Sequence, residues 1–339
     1  MLSASLTFNQ TSLIFLFVIF ALVTIICSKY LAIYAEIFSS RMSIDTGIIG
    51  LIFLASITSL PELSVSISAI TNYPLDIGPD LAIGNMLGSN LFNLLILGLL
   101  GILFTKKFVE SKNIYFTKYI IQSIILLALV WLIFISVNET FNTSILANKF
   151  FIILIPLLYI VFIILNRNDF DNRNNSANKS QLSNKVSLFY FKFLILIFLV
   201  VLSGIILTFL SSKMARPFNE GGLGLSSNLI GTLFLALSTS LPELSLAYSC
   251  LKINQINMAL GNIFGSNLFN LLLIFIGDIA LKKEPFLKYV SNNFNIIFLS
   301  ILFLSLLSIP IVNSNKKKLI KFLCSVVMIV YIFSIYLIS

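Results

Sequence analysis

Long apolar runs and short polar breaks alternate along almost the whole chain. The runs fall near residues 11–28, 47–70, 81–104, 119–137, 149–165, 188–212, 226–251, 256–280, 289–312 and 318–338. Each approaches or exceeds the roughly 20 residues that a helix needs to cross a bilayer. The pattern therefore predicts an all-α polytopic membrane protein of ten transmembrane helices. The most polar stretch, Asn166 to Lys185, is rich in Asn and Ser and falls between the fifth and sixth runs. It is too short for a folded domain and reads as a flexible linker. The expected organisation is a first five-helix unit at 1–165, a cytoplasmic linker at 166–187 and a second five-helix unit at 188–339.

The two units repeat each other. Thr58-Ser59-Leu60-Pro61-Glu62-Leu63-Ser64 recurs letter for letter as Thr239-Ser240-Leu241-Pro242-Glu243-Leu244-Ser245. Gly84-Asn85, two variable residues and the block from Gly88 to Leu95 recur as Gly261-Asn262, two more and the block from Gly265 to Leu272. Duplication of this kind marks a repeat architecture. An odd number of spans per unit makes the second copy enter the membrane in the opposite direction. The prediction is an inverted-topology repeat, an architecture typical of secondary transporters.

Composition strengthens the membrane reading. Hydrophobic residues make up 58% of the chain and charged residues 10%, too little polar surface for a water-soluble globule of this size. The lipid bilayer is thus the expected surrounding. The net charge of +9 reports topology and not nucleic-acid binding, because Lys and Arg are retained on the cytoplasmic side. With the N-terminus outside, inner segments hold 16 of the 22 basic residues and outer segments six. A multi-pass protein of the cytoplasmic membrane with both termini extracytoplasmic is predicted. The first run lacks a preceding positive charge and a following cleavage site, so it reads as a retained helix. Cys27, Cys250 and Cys324 lie in or beside apolar runs and form no disulfide framework.

The repeated blocks carry the candidate chemistry. Glu62 and Glu243 lie inside apolar spans, where an ionisable group is costly and usually functional. No Lys or Arg stands near either in its span, so a bound cation is the natural counter-charge. Thr58 and Ser59 precede Glu62 by four and three residues and share its helical face; Thr239 and Ser240 do the same for Glu243. Such oxygens suit hard ions, Na⁺ and Ca²⁺. Pro61 and Pro242 are expected to break or kink their helices and free the carbonyls of Ile57 and Ser238. Asn85, Ser89 and Asn93 recur at intervals of four, as do Asn262, Ser266 and Asn270, giving one polar stripe on each facing helix. Gly84 with Gly88, and Gly261 with Gly265, form small-xxx-small pairs that admit close helix contact. Asp76 and Asp80 read as solvated charges of an outer loop.

At these two blocks the chain resembles the cation/calcium exchanger superfamily, in particular its prokaryotic sodium/calcium exchangers. The resemblance covers the whole chain in layout, and its specific part is the pair of motifs in each half. It implies that Glu62 and Glu243 bind Ca²⁺ with help from Thr58 and Thr239. It further implies Na⁺ sites at Ser59, Ser89, Ser240 and Ser266 with the backbone carbonyls of Ala55 and Ala236, and Asn93 at the centre. Some members carry Asp where this chain has Asn270, so the set here holds two carboxylates only, which weakens a case for K⁺ co-transport.

The implied function is an antiporter exchanging Na⁺ for Ca²⁺ by alternating access, with the transported ions as partners and no cofactor. A Ca²⁺/H⁺ antiporter using the same glutamates is the alternative, and the Ser and Asn ligands favour Na⁺ over a proton that needs none of them. An intramembrane enzyme would need an activated nucleophile or paired aspartates. The chain has no His, and no Asp at the centre of a span. A channel fits inverted repeats less well than alternating access does. The sequence carries no sign of an oligomeric state.

Overall fold

The computed structural model describes residues 9–41, 52, 54–110, 114–138, 145–165, 186–281 and 285–338. The linker assigned to 166–187 lies, as far as Lys185, outside them. Among the described residues there is no strand. The helices are α1 (Gln10–Arg41), α2 (Ala55–Thr58), α3 (Leu60–Asn72), α4 (Gly78–Leu103), α5 (Thr105–Glu110), α6 (Ile114–Asn138) and α7 (Ile145–Leu165). They continue as α8 (Val186–Met214), α9 (Ala236–Lys252), α10 (Ile256–Leu281), α11 (Phe294–Asn313) and α12 (Lys317–Tyr336).

Eight helices among the described residues are long and apolar enough to cross a membrane: α1, α4, α6, α8, α10, α11, α12 and the continuous stretch Ser227–Lys252 that ends in α9. The other two predicted runs are the split pair α2 and α3, and α7, whose apolar stretch Ile152–Leu165 is shorter. Local sequence sets the ends. Pro79 in the first turn of α4 leaves no unpaired donor where none could be satisfied. Asn254, with φ 62°, makes the left-handed residue that closes α9 and lets α10 start after three residues.

α4 is the centre of the bundle. It packs against α3, α9, α10, α11 and α12, and nearly all its side chains are buried. α1 and α8 lie against each other, joined by Thr24 Oγ1 and Ser203 Oγ at 2.8 Å, and present apolar outer faces such as Phe15, Leu22, Leu194 and Phe198. That is the expected division for lipid as solvent: polar and small residues inside, large apolar residues outside. α4 meets the segment Ile230–Leu235 at backbone distance. A Cβ on Gly84 would stand 2.9 Å from the Cα of Gly231, so a side chain there would push the two backbones apart.

The two copies of the glutamate motif are wound differently. α2 stops at Ser59 (φ −88°, ψ 10°) and α3 starts at Leu60, with Pro61 in its first turn. The expected break is there. In the second copy α9 runs unbroken through Pro242 to Lys252, so of the expected break or kink the break is absent there. One missing donor is tolerated where neighbouring groups reorganise around it. The irregularity lies upstream, where Ile230–Leu235 is π-helical, a winding that recurs at Ile52 and Leu54.

Candidate ion-binding site

α2 and α3 carry Thr58, Ser59 and Glu62, α9 carries Thr239, Ser240 and Glu243, and α4 and α10 carry the polar stripes. All these side chains are buried together in mid-bundle. Hydrogen bonds tie the halves crosswise. Thr58 Oγ1 donates to Asn262 Oδ1 at 3.3 Å, and its repeat mate Thr239 donates to Asn85 Oδ1 at 3.2 Å. Each bond joins the glutamate helix of one half to the polar stripe of the other, so the internal symmetry of the sequence appears as symmetry of contacts.

The carboxylates are 0% and 1% exposed at Glu62 and Glu243, yet they are sparsely satisfied. Glu62 Oε1 accepts from Ser240 Oγ at 2.9 Å and from Ser89 Oγ at 3.4 Å, while Oε2 has no partner. Neither oxygen of Glu243 has one, although Thr58 and Ser266 border it. Ser59 Oγ, Asn93 Oδ1 and Asn270 Oδ1 are also buried without partners. These orphans are nearly all acceptors, and no Lys or Arg is buried among the described residues to supply donors. Leaving a buried acceptor unpaired costs about 1–3 kcal/mol each, more for a charged one. A cluster of them fits a hard cation, whose ligands are oxygens of just these types. Among the described residues no three of His, Cys, Asp and Glu come together, so hydroxyl and amide oxygens would have to complete any shell around the two carboxylates.

The remaining residues singled out from sequence are more engaged. The Ala55 carbonyl accepts from Ser59 N at 3.0 Å and Thr58 Oγ1 at 3.3 Å, and the Ala236 carbonyl from Thr239 Oγ1 at 3.3 Å. Asn85 Nδ2 donates to the Glu62 carbonyl and to Ser66 Oγ, both at 3.2 Å, so Asn85 braces the glutamate helix. Asn262 Nδ2, its mate, has no partner.

Two features lay outside the sequence reading. Asp80 is not a solvated loop charge: it sits in the first turn of α4, buried, accepting from Ser291 N at 2.8 Å and Ser227 Oγ at 3.4 Å. It pins the start of α4 to two segments of the other half. Asn90 and Asn267, inside the duplicated block but one position off its stripe, bond across the α4/α10 contact; their inclusion in the exact repeat was the signal available.

A cavity of about 240 Å³ lies between α3 and α8 beside Leu60 and Ser64. A smaller one of about 110 Å³ lies between α9 and α1 beside Pro242 and Ser245, with Lys29 at its wall. The two occupy corresponding places in the two halves.

The sequence pattern of the family described as sodium/calcium exchanger protein matches residues 12–167 and 188–339. An uncharacterized membrane protein of Methanocaldococcus jannaschii is 27% identical over 248 residues, covering 71% of this chain and 72% of that one. Inner membrane protein YrbG of Escherichia coli is 27% identical over 268 residues, covering 76% and 77%. Among solved structures, the sodium-calcium exchanger NCX_Mj soaked with zero Na⁺ and Ca²⁺ superposes with a TM-score of 0.61 at 22% identity, covering 96% of this chain and 98% of that one. That likeness extends to the fold.

Proposed function

The chain belongs to the sodium/calcium exchanger protein family, and from that premise we propose that it is an antiporter exchanging Na⁺ for Ca²⁺ by alternating access. Ten helices in two inverted repeats, 1–165 and 188–339, would hold the ions at mid-membrane, with both termini extracytoplasmic. The observation that carries the reading is the cluster of buried oxygens without hydrogen-bond donors around Glu62 and Glu243.

Charge counting gives the mechanism. Two ionised glutamates carry −2, which one Ca²⁺ neutralises, so the loaded carrier crosses the low-dielectric core with almost no net charge. Na⁺ competes for the same oxygens. Ser59, Ser89, Ser240 and Ser266, with Asn93 and Asn270 and the carbonyls of Ala55 and Ala236, supply neutral ligands suited to a monovalent hard ion. Thr58 and Thr239 serve the Ca²⁺ position beside the carboxylates. Binding of either load would remove the cost of the orphaned acceptors, and an empty carrier keeps that cost. Such a site favours exchange over uniport.

Ca²⁺ flux into proteoliposomes, driven in turn by Na⁺ and by H⁺ gradients, tests the proposal. Na⁺-driven flux that disappears in Glu62→Gln and Glu243→Gln, in protein that still purifies folded, is the expected result. Flux driven by H⁺ and indifferent to Na⁺ would replace it with Ca²⁺/H⁺ exchange at the same glutamates.

A further inference from the structure

Asn90 and Asn267 face each other where α4 crosses α10. Asn93 Nδ2 donates to Asn267 Oδ1 at 3.0 Å, and the repeat mate Asn270 Nδ2 donates to Asn90 Oδ1 at 3.1 Å. Asn90 Nδ2 in turn donates to the Asn267 backbone carbonyl at 3.2 Å. All four amides are at most 2% exposed, and within each helix the two members are three residues apart, on one face.

An amide has two ends of opposite character, and its use to a cation depends on which end is presented. The bonds to Asn267 and Asn90 occupy the NH₂ groups of Asn93 and Asn270, and the two Oδ1 atoms left over are the buried, partnerless ones. Turning either amide over would set oxygen against oxygen at the helix crossing and aim an NH₂ donor where the acceptor now stands. From this geometry we propose that Asn90 and Asn267 are positioning residues: each locks the amide across from it with its oxygen free for the transported ion. The inference rests on the proposed ion site and deepens it, since it assigns the acceptor character of Asn93 and Asn270 to residues that touch no ion. The other use of buried amides, as plain glue between helices, would stabilise the crossing without any bearing on ions.

A double-mutant cycle separates the two. Asn267→Ser keeps a polar side chain in the crossing, but its hydroxyl falls about 1 Å short of the Asn93 amide, a loss on the order of one ordinary hydrogen bond. Half-saturation by Na⁺ and by Ca²⁺ is measured in proteoliposomes for Asn267→Ser, Asn93→Ala and the double variant, with melting in detergent measured alongside. The expected result is a rise of about tenfold in half-saturation for at least one ion in Asn267→Ser, and no further rise when it is added to Asn93→Ala. Effects that multiply in the double variant, or a lower melting temperature with ion dependence unchanged, would overturn the positioning role while leaving the site intact. If Asn93→Ala itself changes neither ion, both the site at Asn93 and this inference fall. Should Asn267→Ser not fold, Asn90→Ser against Asn270→Ala provides the same cycle from the other repeat.

Discussion

Ser59 and Ser240 are equivalent in sequence and unlike in structure, so substituting each with alanine tests whether the asymmetry of the two repeats is real. Ser240 Oγ donates to Glu62 Oε1 at 2.9 Å, whereas Ser59 Oγ is buried without a partner at the end of α2. Removing a donor from a carboxylate costs about 1.5–3 kcal/mol. Removing an unpaired buried hydroxyl relieves its desolvation and is neutral or stabilising by about 1 kcal/mol. The ion-free Ser240→Ala protein should therefore be less stable than Ser59→Ala by about 1.5–4 kcal/mol, the sum of the two effects. Denaturant unfolding in detergent, with Na⁺ absent and Ca²⁺ chelated, reads that difference. Adding Na⁺ should narrow it, because both serines are proposed ligands and each variant then lacks one. Equal stabilities for the ion-free variants, or a lower one for Ser59→Ala, would refute the reasoning and return the two serines to the equivalence that the sequence implies.

Gly84→Ala should destabilise the protein by about 1–3 kcal/mol, because its Cβ would meet Gly231 backbone at 2.9 Å and force α4 outward; an unchanged melting temperature would contradict the close contact. It should also weaken ion binding, since the 3.2 Å bond from Thr239 to Asn85 spans the same interface. Among the described residues, Lys29 is the one charged side chain lining the α1/α9 cavity, and none lines its α3/α8 counterpart. If Ca²⁺ enters through that cavity, Lys29→Gln should raise its rate of entry from that side about two- to tenfold at low salt, the order of effect of one repelling charge within about a Debye length, and sided flux in oriented proteoliposomes checks it. If three Na⁺ exchange for one Ca²⁺, each cycle moves one net charge and an inside-negative potential drives Ca²⁺ out with about 2.3 kcal/mol per 100 mV. Flux indifferent to a valinomycin-clamped potential would mean a two-for-one ratio.

The helical class and most of the membrane-length elements could be read from the apolar runs, because lipid leaves helices as the only way for such runs to satisfy their backbone. The candidate cluster was legible for a different reason. Thr58, Glu62, Ser89 and their mates stand in duplicated blocks, and two copies of one motif must meet if the halves pack face to face. What escaped was anything decided by distant partners. Asp80 looks like a loop charge until Ser227 and Ser291, more than 140 positions away in the chain, supply its donors. Pro242 looks like a break, yet α9 passes through it, because a helix packed by α1, α4 and α10 loses only one bond there. Asn85 shares the polar stripe of Ser89 and Asn93, yet it braces Thr239 and the Glu62 backbone, a distinction that turns on which end of an amide meets which neighbour.

The contact of Gly84 with Gly231 has a mechanical side. Most helix pairs in the bundle interlock through side chains, and displacing one past the other means unmeshing knobs from holes. Where glycine faces glycine there is nothing to unmesh, and a small slide replaces one van der Waals contact by another of nearly equal energy. The joint is smooth and lies between α4, which carries Asn85, Ser89 and Asn93, and the π-helical turn that leads to Thr239 and Glu243. One turn along, the Ala236 methyl seats over Gly88, so the joint would act as a bearing of short travel, stiff against separation and free only over a small slide. Motion along it would carry one set of ion-facing oxygens past the other without opening a void between them.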